Sequence, residues 1–563
     1  MATLAEATST APLVTAHDSL VAALERCAHD DAPYLTVHGA KGASRRSAKD
    51  ALAGAYRWAK LLSACGTSKG DRVLVLLPTG HAFAEALFGA MLLGAIPVPL
   101  ASPMTFGSVD RYLENLGRIA KSCGARTIVT YPRIRDAVSA SPLFGASVGR
   151  VLVEADLDGL AATPLRLPSI AGADTAFLQY TSGTTGRPKG VVISHRAIVA
   201  NASAIADGLQ LGADDVGVSW LPMFHDMGLI GVLLTSICHP YPVHAMPPES
   251  FVMQPRRWLE LVARERATMS AAPNFAYDLC VTRARDTAEL RLDTWRLALN
   301  GAEAVHASTL ARFAARFAEN GLSADVSLPV YGLAEATLAV TFPPMCHKTA
   351  IFGADRDVLE RDGRAVLRGD GHPIVGVGRP VAGTSIQITA PSGAVLREGE
   401  VGEIRVRSAS SMDGYFGDDA ASAEVLVDGQ LRTGDLGFLD QGTLYVTGRA
   451  KDLIIKGGRN LCPWDVERVA GEIDGVRQGG VAAFGRANAR TGTEDLVVVA
   501  ETLHADTTRR ELLAKAIQAE LLEVLGVKPD EVRLCGVGKV PRTTSGKIRR
   551  RECARLLAVS ELG

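Results

Sequence analysis

The stretch GDRVLVLLP, Gly70 to Pro78, is a short continuous apolar run with turn-forming residues at both ends. A strand that is apolar at every position is buried on both faces, as in a parallel sheet covered by helices. Its neighbours fit that setting. Residues Ser47 to Leu62 carry the spacing of an amphipathic helix, and Ala82 to Ala101 reads as a buried helix running into the strand AIPVPL. That second segment is long enough to span a bilayer, but Glu85 interrupts it and Pro97 and Pro99 close it. ARTIVTY and GRVLVEA repeat the strand theme, so the class expected is α/β. After about Gly383 the texture changes. TSIQITAPSGAVLREGEVGEIRVRS alternates apolar and polar residues, as antiparallel strands do, and a hairpin-like DQGT turn follows. From Lys451 onward a small α+β unit is expected, with Thr508–Gly526 as its clearest helix. The division expected is residues 1–450 and residues 451–563.

Composition narrows the function classes. The 563 residues carry a formal net charge of −1, which gives no electrostatic argument for nucleic acid. The basic run KIRRR at Lys547–Arg551 is short enough to be a solvated surface. Nine cysteines are scattered with no C-x-x-C pair, the pattern of reduced thiols without a disulfide framework or zinc site. The first residues lack the basic-then-apolar order of a signal peptide, so a cytoplasmic protein with no membrane span is expected.

YTSGTTGRPKG, Tyr180 to Gly190, sets three glycines, four hydroxyls of Thr181, Ser182, Thr184 and Thr185, and Lys189 in one loop. Glycines let backbone N–H groups approach a ligand, successive N–H groups form an anion-binding concavity, and a cation adds charge. Together they suit a polyphosphate. A surface turn between LQY and GVVISH is the plainer reading, but a turn needs fewer residues and no lysine. The loop is not a Walker A motif, since Lys189 is followed by glycine. GASVG at Gly145–Gly149 matches a nucleophile-elbow pattern but lacks a clear strand before it, so a hydrolase serine there is not expected.

The loop resembles the signature of the adenylate-forming superfamily, which includes acyl-CoA synthetases, luciferases, nonribosomal adenylation domains and fatty acyl-AMP ligases. NGAEAV (Asn300–Val305), YGLAEAT (Tyr331–Thr337), RTGDLG (Arg432–Gly437), GRAKDLIIKGGRN (Gly448–Asn460) and PRTTSGKIRR (Pro541–Arg550) follow in the family's order. The resemblance implies a large N-terminal domain of two doubly wound α/β subdomains plus a small β-barrel subdomain, and a small mobile α+β C-terminal domain. It implies ATP and Mg²⁺. Thr181, Ser182, Gly183, Thr184, Thr185, Gly186 and Lys189 would hold the outer phosphates. Thr184 and Glu335 would hold the metal. Tyr331 would stack on adenine beside Gly332, with Gly301, Ala302 and Glu303 opposite. Asp435 would take the ribose hydroxyls, and Arg449 would lie near ribose and phosphates. Lys547, with Glu335 and Thr184, would be catalytic, bridging the attacking carboxylate and the α-phosphate. Lys451 would be the hinge between two domain orientations.

SWLPMFHDMGLIG (Ser219–Gly231) looks like the acyl-pocket motif of fatty acyl-AMP ligases, which assigns Trp220, His225, Met227 and Leu229 to an apolar tunnel. Thr341–Pro380 resembles the extra segment of that group, which hinders the rearrangement needed for CoA chemistry. The implied activity is activation of a fatty acid to acyl-AMP for the phosphopantetheine arm of an acyl carrier protein supplied by another chain. An acyl-CoA synthetase and a non-catalytic acyl-adenylate-binding protein are the alternatives. Two stretches depart from the group's habit. NLCPWDVE carries Cys462 and Trp464 where tyrosine and glutamine are common, and SMDGYFGDD lacks a tryptophan–asparagine pair. Neither departure is expected to touch the chemistry.

Overall fold

The computed structural model describes residues 3–562 except 30–32, 103–108, 145–147, 161–164, 182–187, 346, 489–492 and 544–545. Ser147 of the GASVG pattern, and Ser182, Gly183, Thr184, Thr185 and Gly186 of the phosphate loop, therefore lie outside the described residues.

The apolar run becomes the strand Arg72–Val75, central in a four-stranded parallel sheet ordered Ile96–Pro99, Arg72–Val75, Thr127–Thr130, Arg150–Val153. The helix before it, Ala48–Ala64, starts at a capping box in which Ser47 and Asp50 satisfy each other's backbone N–H. It packs on the helix His81–Leu92 so closely that a Cβ on Gly89 would sit 2.6 Å from the Trp58 Cβ. His81–Leu92 has only 12 residues, nine of them buried, and leads into Ile96–Pro99. Among the described residues no helix is long and apolar enough to cross a membrane.

A second sheet of seven strands runs Ser327–Pro329, Leu297–Asn300, Met269–Ala272, Gly217–Ser219, Val243–Ala245, Pro33–Gly39, Gly42–Ser47. All neighbours are parallel except the final hairpin. The chain leaves the carboxyl ends of these strands through the motifs at Asn300, Tyr331 and Trp220, where open α/β sheets place their ligands. The region expected as a small barrel is a six-stranded antiparallel sheet that includes Thr384–Thr389, Gly402–Ser408, Gln430–Asp440 and Thr443–Arg449. Its last hairpin turns at Gln441 and Gly442, both at positive φ, as a two-residue turn between right-twisted strands requires.

Residues from Ile454 onward build clusters of their own around the strands Val476–Asn488, Thr493–Thr502 and Glu531–Cys535. The helix Thr507–Leu525 is capped by the Asp506 side chain and ends at Gly526 in the left-handed region.

One buried amide ties the N-terminal layers to the Tyr331–Thr337 motif. Asn201, on the helix His195–Gly208, donates to Ala339 O (3.0 Å) and Ser410 Oγ (2.9 Å) and accepts from the Ala339 N–H (2.9 Å). Asn201 is fully buried, and Ser410 Oγ also reaches Ser408 Oγ (2.9 Å) and Ala336 O (3.3 Å). Asn201→Ala is expected to cost about 1–3 kcal/mol, because it strands buried backbone groups. Thermal unfolding should begin several degrees lower and amide exchange at Ala339 should accelerate; an unchanged melting curve would exclude this tie as a support.

Candidate functional site

The site is built around a buried carboxylate. Asp435 and Arg449 face each other as register partners on the hairpin Gln430–Asp440 and Thr443–Arg449. Arg449 Nε donates to Asp435 Oδ1 (2.7 Å), and the Tyr331 hydroxyl donates to Oδ2 (2.8 Å). Asp435 is 5% exposed. A carboxylate offers about four lone-pair positions, so each oxygen keeps capacity toward the cleft. The carboxylate raises the Arg449 pKa, while burial, reinforced by that same charge, holds Tyr331 protonated well above its ordinary range.

Tyr331 is placed by a short strand leaving the seven-stranded sheet. Gly332 follows because no side chain fits there: a Cβ would lie 1.9 Å from Leu338 O. The turn ends at Thr337 with φ +67°, a value that a β-branched residue adopts only under constraint. Its hydroxyl donates to Ser410 O (2.6 Å), which helps hold it. Across the cleft, Gly301 bonds Ala272 O (3.3 Å) and Ala302 has φ +68°. Backbone outliers of this kind cluster at ligand sites.

Where the phosphates are expected, Thr181 and Lys189 close the loop as a register pair. Lys189 Nζ lies 4.5 Å from the centre of the Tyr415 ring, and the Tyr415 hydroxyl donates to Glu335 Oε1 (2.9 Å). Tyr415 is the tyrosine of the G-Y pair in SMDGYFGDD, just before the stretch that departs. In NLCPWDVE the departing residues Cys462 and Trp464 themselves line the cleft. Sequence spacing carries no signal for the Tyr415 contact, which joins residues 80 positions apart.

Lys547 projects from a tight turn. Its N–H donates to Thr543 Oγ1 (3.0 Å), and its carbonyl accepts from the Thr543 N–H (2.8 Å). The turn is anchored by Arg550, which forks onto Glu467 (2.7 Å to each oxygen) and reaches Asp452 (3.0 Å). Lys547 itself is exposed within the cleft, and its charge acts on Asp226 and Glu303. Burial pushes the Glu303 carboxyl up, against the pull of the Phe275 N–H (2.6 Å) and the Lys547 and Arg542 cations. Burial likewise disfavours the Asp226 carboxylate, but His225 (2.6 Å), Lys547 and the Met227 N–H overcome it and bring its pKa to about 2. Lys451 stands exposed in the turn directly after Arg449, on the cleft's rim.

These groups line one cleft of about 2240 Å³. Ile205, Leu209, Phe224, Met227, Val232 and Phe342 supply an apolar arm of its wall. Of the four residues expected in the acyl tunnel, His225 and Met227 line it. Trp220 and Leu229 do not. Trp220 stacks on Phe251 (4.0 Å between ring centres) within an aromatic cluster, and Leu229 is fully buried in the main core. Both back the wall instead of forming it. For Leu229 the reason is local: Leu229–Leu234 is a π-helix, a widened turn that shifts side-chain directions from ordinary helical spacing.

A model of the AMP-binding enzyme family matches residues 25–416. A putative acyl-CoA synthetase of Caulobacter vibrioides is 36% identical over 502 residues, covering 87% of this chain and 86% of that protein. A medium-chain fatty acid–acyl-carrier-protein ligase of Moorena producens is 33% identical over 515 residues, covering 86% and 85%. A solved structure from a study of fatty acyl-adenylate ligases of E. coli and L. pneumophila superposes with a TM-score of 0.91 at 35% identity, covering 97% and 98%. With the match to the family model spanning well over half its length, the chain belongs to the AMP-binding enzyme family.

Proposed function

We propose that this protein is a fatty acyl-AMP ligase that joins a fatty acid to AMP, releases pyrophosphate, and passes the acyl group to the phosphopantetheine thiol of an acyl carrier protein on another chain. The observation that carries the reading is one continuous cleft. Asp435, Lys189, Glu335 and Lys547 line it together with the apolar arm, and the reading sets Lys547 at the junction of the two. The setting proposed is the cytoplasm, where scattered thiols stay reduced.

An alkyl chain in the apolar arm brings its carboxylate to the junction. There one carboxylate oxygen attacks the α-phosphorus of ATP, the bond from that phosphorus to the bridging oxygen breaks, and pyrophosphate leaves with the electron pair. The ammonium of Lys547 can touch both the attacking carboxylate and the α-phosphate, aligning them and offsetting their mutual repulsion. Asp435 takes the ribose hydroxyls, and Tyr331 sets the adenine plane. The chemistry of the donor set suits Mg²⁺: Glu335 presents carboxylate oxygens beside a cleft open to water, and Thr184 would join it. Bound there, the ion would neutralise phosphate charge.

The preference for a carrier protein over CoA rests on the inserted segment. Its hairpin Ile351–Ala354 and His372–Val375 and its helix Arg356–Asp362 lie against residues 451–563, which the reading takes as a domain that turns at Lys451. Glu360 meets Arg459 at 2.5 Å with both side chains nearly buried. The same Arg459 caps the helix end at Leu525 O (3.0 Å) and Gly526 O (3.1 Å). Arg356 donates to Val524 O (2.7 Å), and His372 pairs with Asp465 (3.3 Å). The likeness to a putative acyl-CoA synthetase supports the rival in which CoA takes the acyl group.

Two experiments separate these readings. With ATP, Mg²⁺ and a fatty acid, Lys547→Ala is expected to slow pyrophosphate release by at least about a hundredfold with the melting curve preserved, the order seen when a transition-state contact is removed; unchanged release would remove the lysine from the reaction. With CoA added, wild type should accumulate acyl-AMP. The variant Arg356→Ala/Glu360→Ala/His372→Ala/Arg459→Ala, which removes the three contacts together, should gain acyl-CoA formation. Abundant acyl-CoA from the wild type would overturn the carrier-protein reading.

A further inference from the structure

A second cluster of chemistry-bearing side chains lies away from the cleft. His38 and His244 sit on the adjacent parallel strands Pro33–Gly39 and Val243–Ala245. His244 is the register partner of Thr36, so His38, two residues on, shares its face of the sheet. Glu265 ends the helix Arg256–Arg264 beside that face. His38 Nε2 lies 3.1 Å from His244 Nδ1, and His244 Nδ1 lies 3.4 Å from Glu265 Oε2. The ligand atoms of all three residues fall within 4.8 Å of one another. None of the three lines the nucleotide cleft.

Proton accounting shows what this point lacks. Arg264 Nη2, which can only donate, faces His38 Nδ1 at 2.9 Å. Nδ1 is therefore bare, and the single ring proton of a neutral His38 sits on Nε2 and points at His244 Nδ1. His244 Nδ1 must accept, so its remaining approach to the Glu265 carboxylate sets one electron pair against another. Protonating the rings is opposed by burial and by neighbouring cations. These hold His38 down at about 4 and lower His244, even with Glu265 pulling the other way. Three electron-pair donors thus converge around one shared proton. A tetrahedral ion bound at about 2.0–2.1 Å needs ligand atoms roughly 3.3 Å apart. The observed 3.1 and 3.4 Å bracket that value.

We infer that His38, His244 and Glu265 form a binding site for a first-row divalent transition-metal ion of the zinc type. Two imidazoles and a carboxylate suit such an ion and leave a fourth position for water, whereas Mg²⁺ asks for an oxygen shell. Binding displaces the Nε2 proton of His38. For the ring to stay neutral that proton has to return on Nδ1, and the Arg264 guanidinium now facing that atom hinders the move. Arg264 is thus a competitor. Its side chain is 59% exposed and already bonds Glu265 Oε1 (2.8 Å), so it has room to turn away. A bound ion would staple two strands of the seven-stranded sheet to the end of the helix covering them.

The test uses the full-length, nucleotide-free protein, stripped with a chelator and titrated with Zn²⁺ by calorimetry, and with Co²⁺ for its visible tetrahedral absorption. One ion per chain and a melting point raised by several degrees are expected. His38→Ala and His244→Ala should weaken binding by more than about tenfold, and Arg264→Gln should tighten it several-fold. Glu335→Gln should leave it unchanged. Should a histidine variant fold poorly by circular dichroism, Glu265→Gln serves the same purpose. Absence of saturable zinc binding, or binding indifferent to changes at His38, His244 and Glu265, overturns the site.

Discussion

The buried carboxylate of Asp435 is the group on which the rest of the arrangement turns. A charge taken out of water has to be paired and hydrogen-bonded, or the fold loses more than the contact can return. Asp435 meets that demand with one partner from each side: the Tyr331 hydroxyl from the α/β layers and the Arg449 guanidinium from the adjacent strand. Because the pair sits at the open end of the hairpin, where its second strand ends, it also sets where the chain enters Ala450–Asp452. On the proposed reading, nucleotide recognition and the starting direction of residues 451–563 are thus set by the same carboxylate. In the proposed mechanism, a ligand that alters the hydrogen bonding of Asp435 acts on the hinge without any intermediary.

The two motif turns beside it are held in conformations that their residues disfavour. Ala302 and Thr337 both lie at positive φ, and each such residue costs on the order of 1–3 kcal/mol. The compensation at Thr337 is visible. Its hydroxyl, the Asn201 amide and Ser410 form one connected set of hydrogen bonds that fix the backbone on both sides of the turn. The strain orients the carbonyls and the Glu335 side chain toward the cleft. The polar set behind it keeps the turn from relaxing to an ordinary geometry.

What could be read from the chain beforehand divides along the range of the interaction involved. The buried strand at Gly70–Pro78, the Ser47 helix start and the Thr508–Gly526 helix rest on residues within a few positions of each other, and local pattern captures them. The motif residues Asp435, Arg449 and Lys547 were legible through resemblance, which supplies their company but not their distances. Partner choices over long separations were not legible. Nothing in the spacing of SMDGYFGDD points Tyr415 at Glu335, and nothing near Arg459 names Glu360. Trp220 and Leu229 show a different limit: residue type says that they are buried, but not whether a cavity or a core lies against them. The all-apolar stretch LIGVLL has no polar face from which to read a period, so its π-helical turn left no trace.

The balance between two domain orientations can be argued from the contacts of the inserted segment. The Glu360–Arg459 pair by itself decides little, because separating both ions into water restores hydration to each. The set is another matter. Arg356 on Val524 O, Arg459 on Glu360 and His372 on Asp465 would all have to be exchanged for water in a single rotation about Lys451. At about 1 kcal/mol for a neutral contact and somewhat more for a charged one, the three together come to about 2–5 kcal/mol. That corresponds to a bias of roughly 30- to 5,000-fold toward the orientation in which Lys547 faces the cleft. A carrier protein brings its own surface and can offset such a bias with new contacts, whereas CoA offers only a small one. On the proposed reading the same lysine, held on its turn by the Arg550 fork, would then stay over the adenylation geometry until a partner large enough to move it arrives.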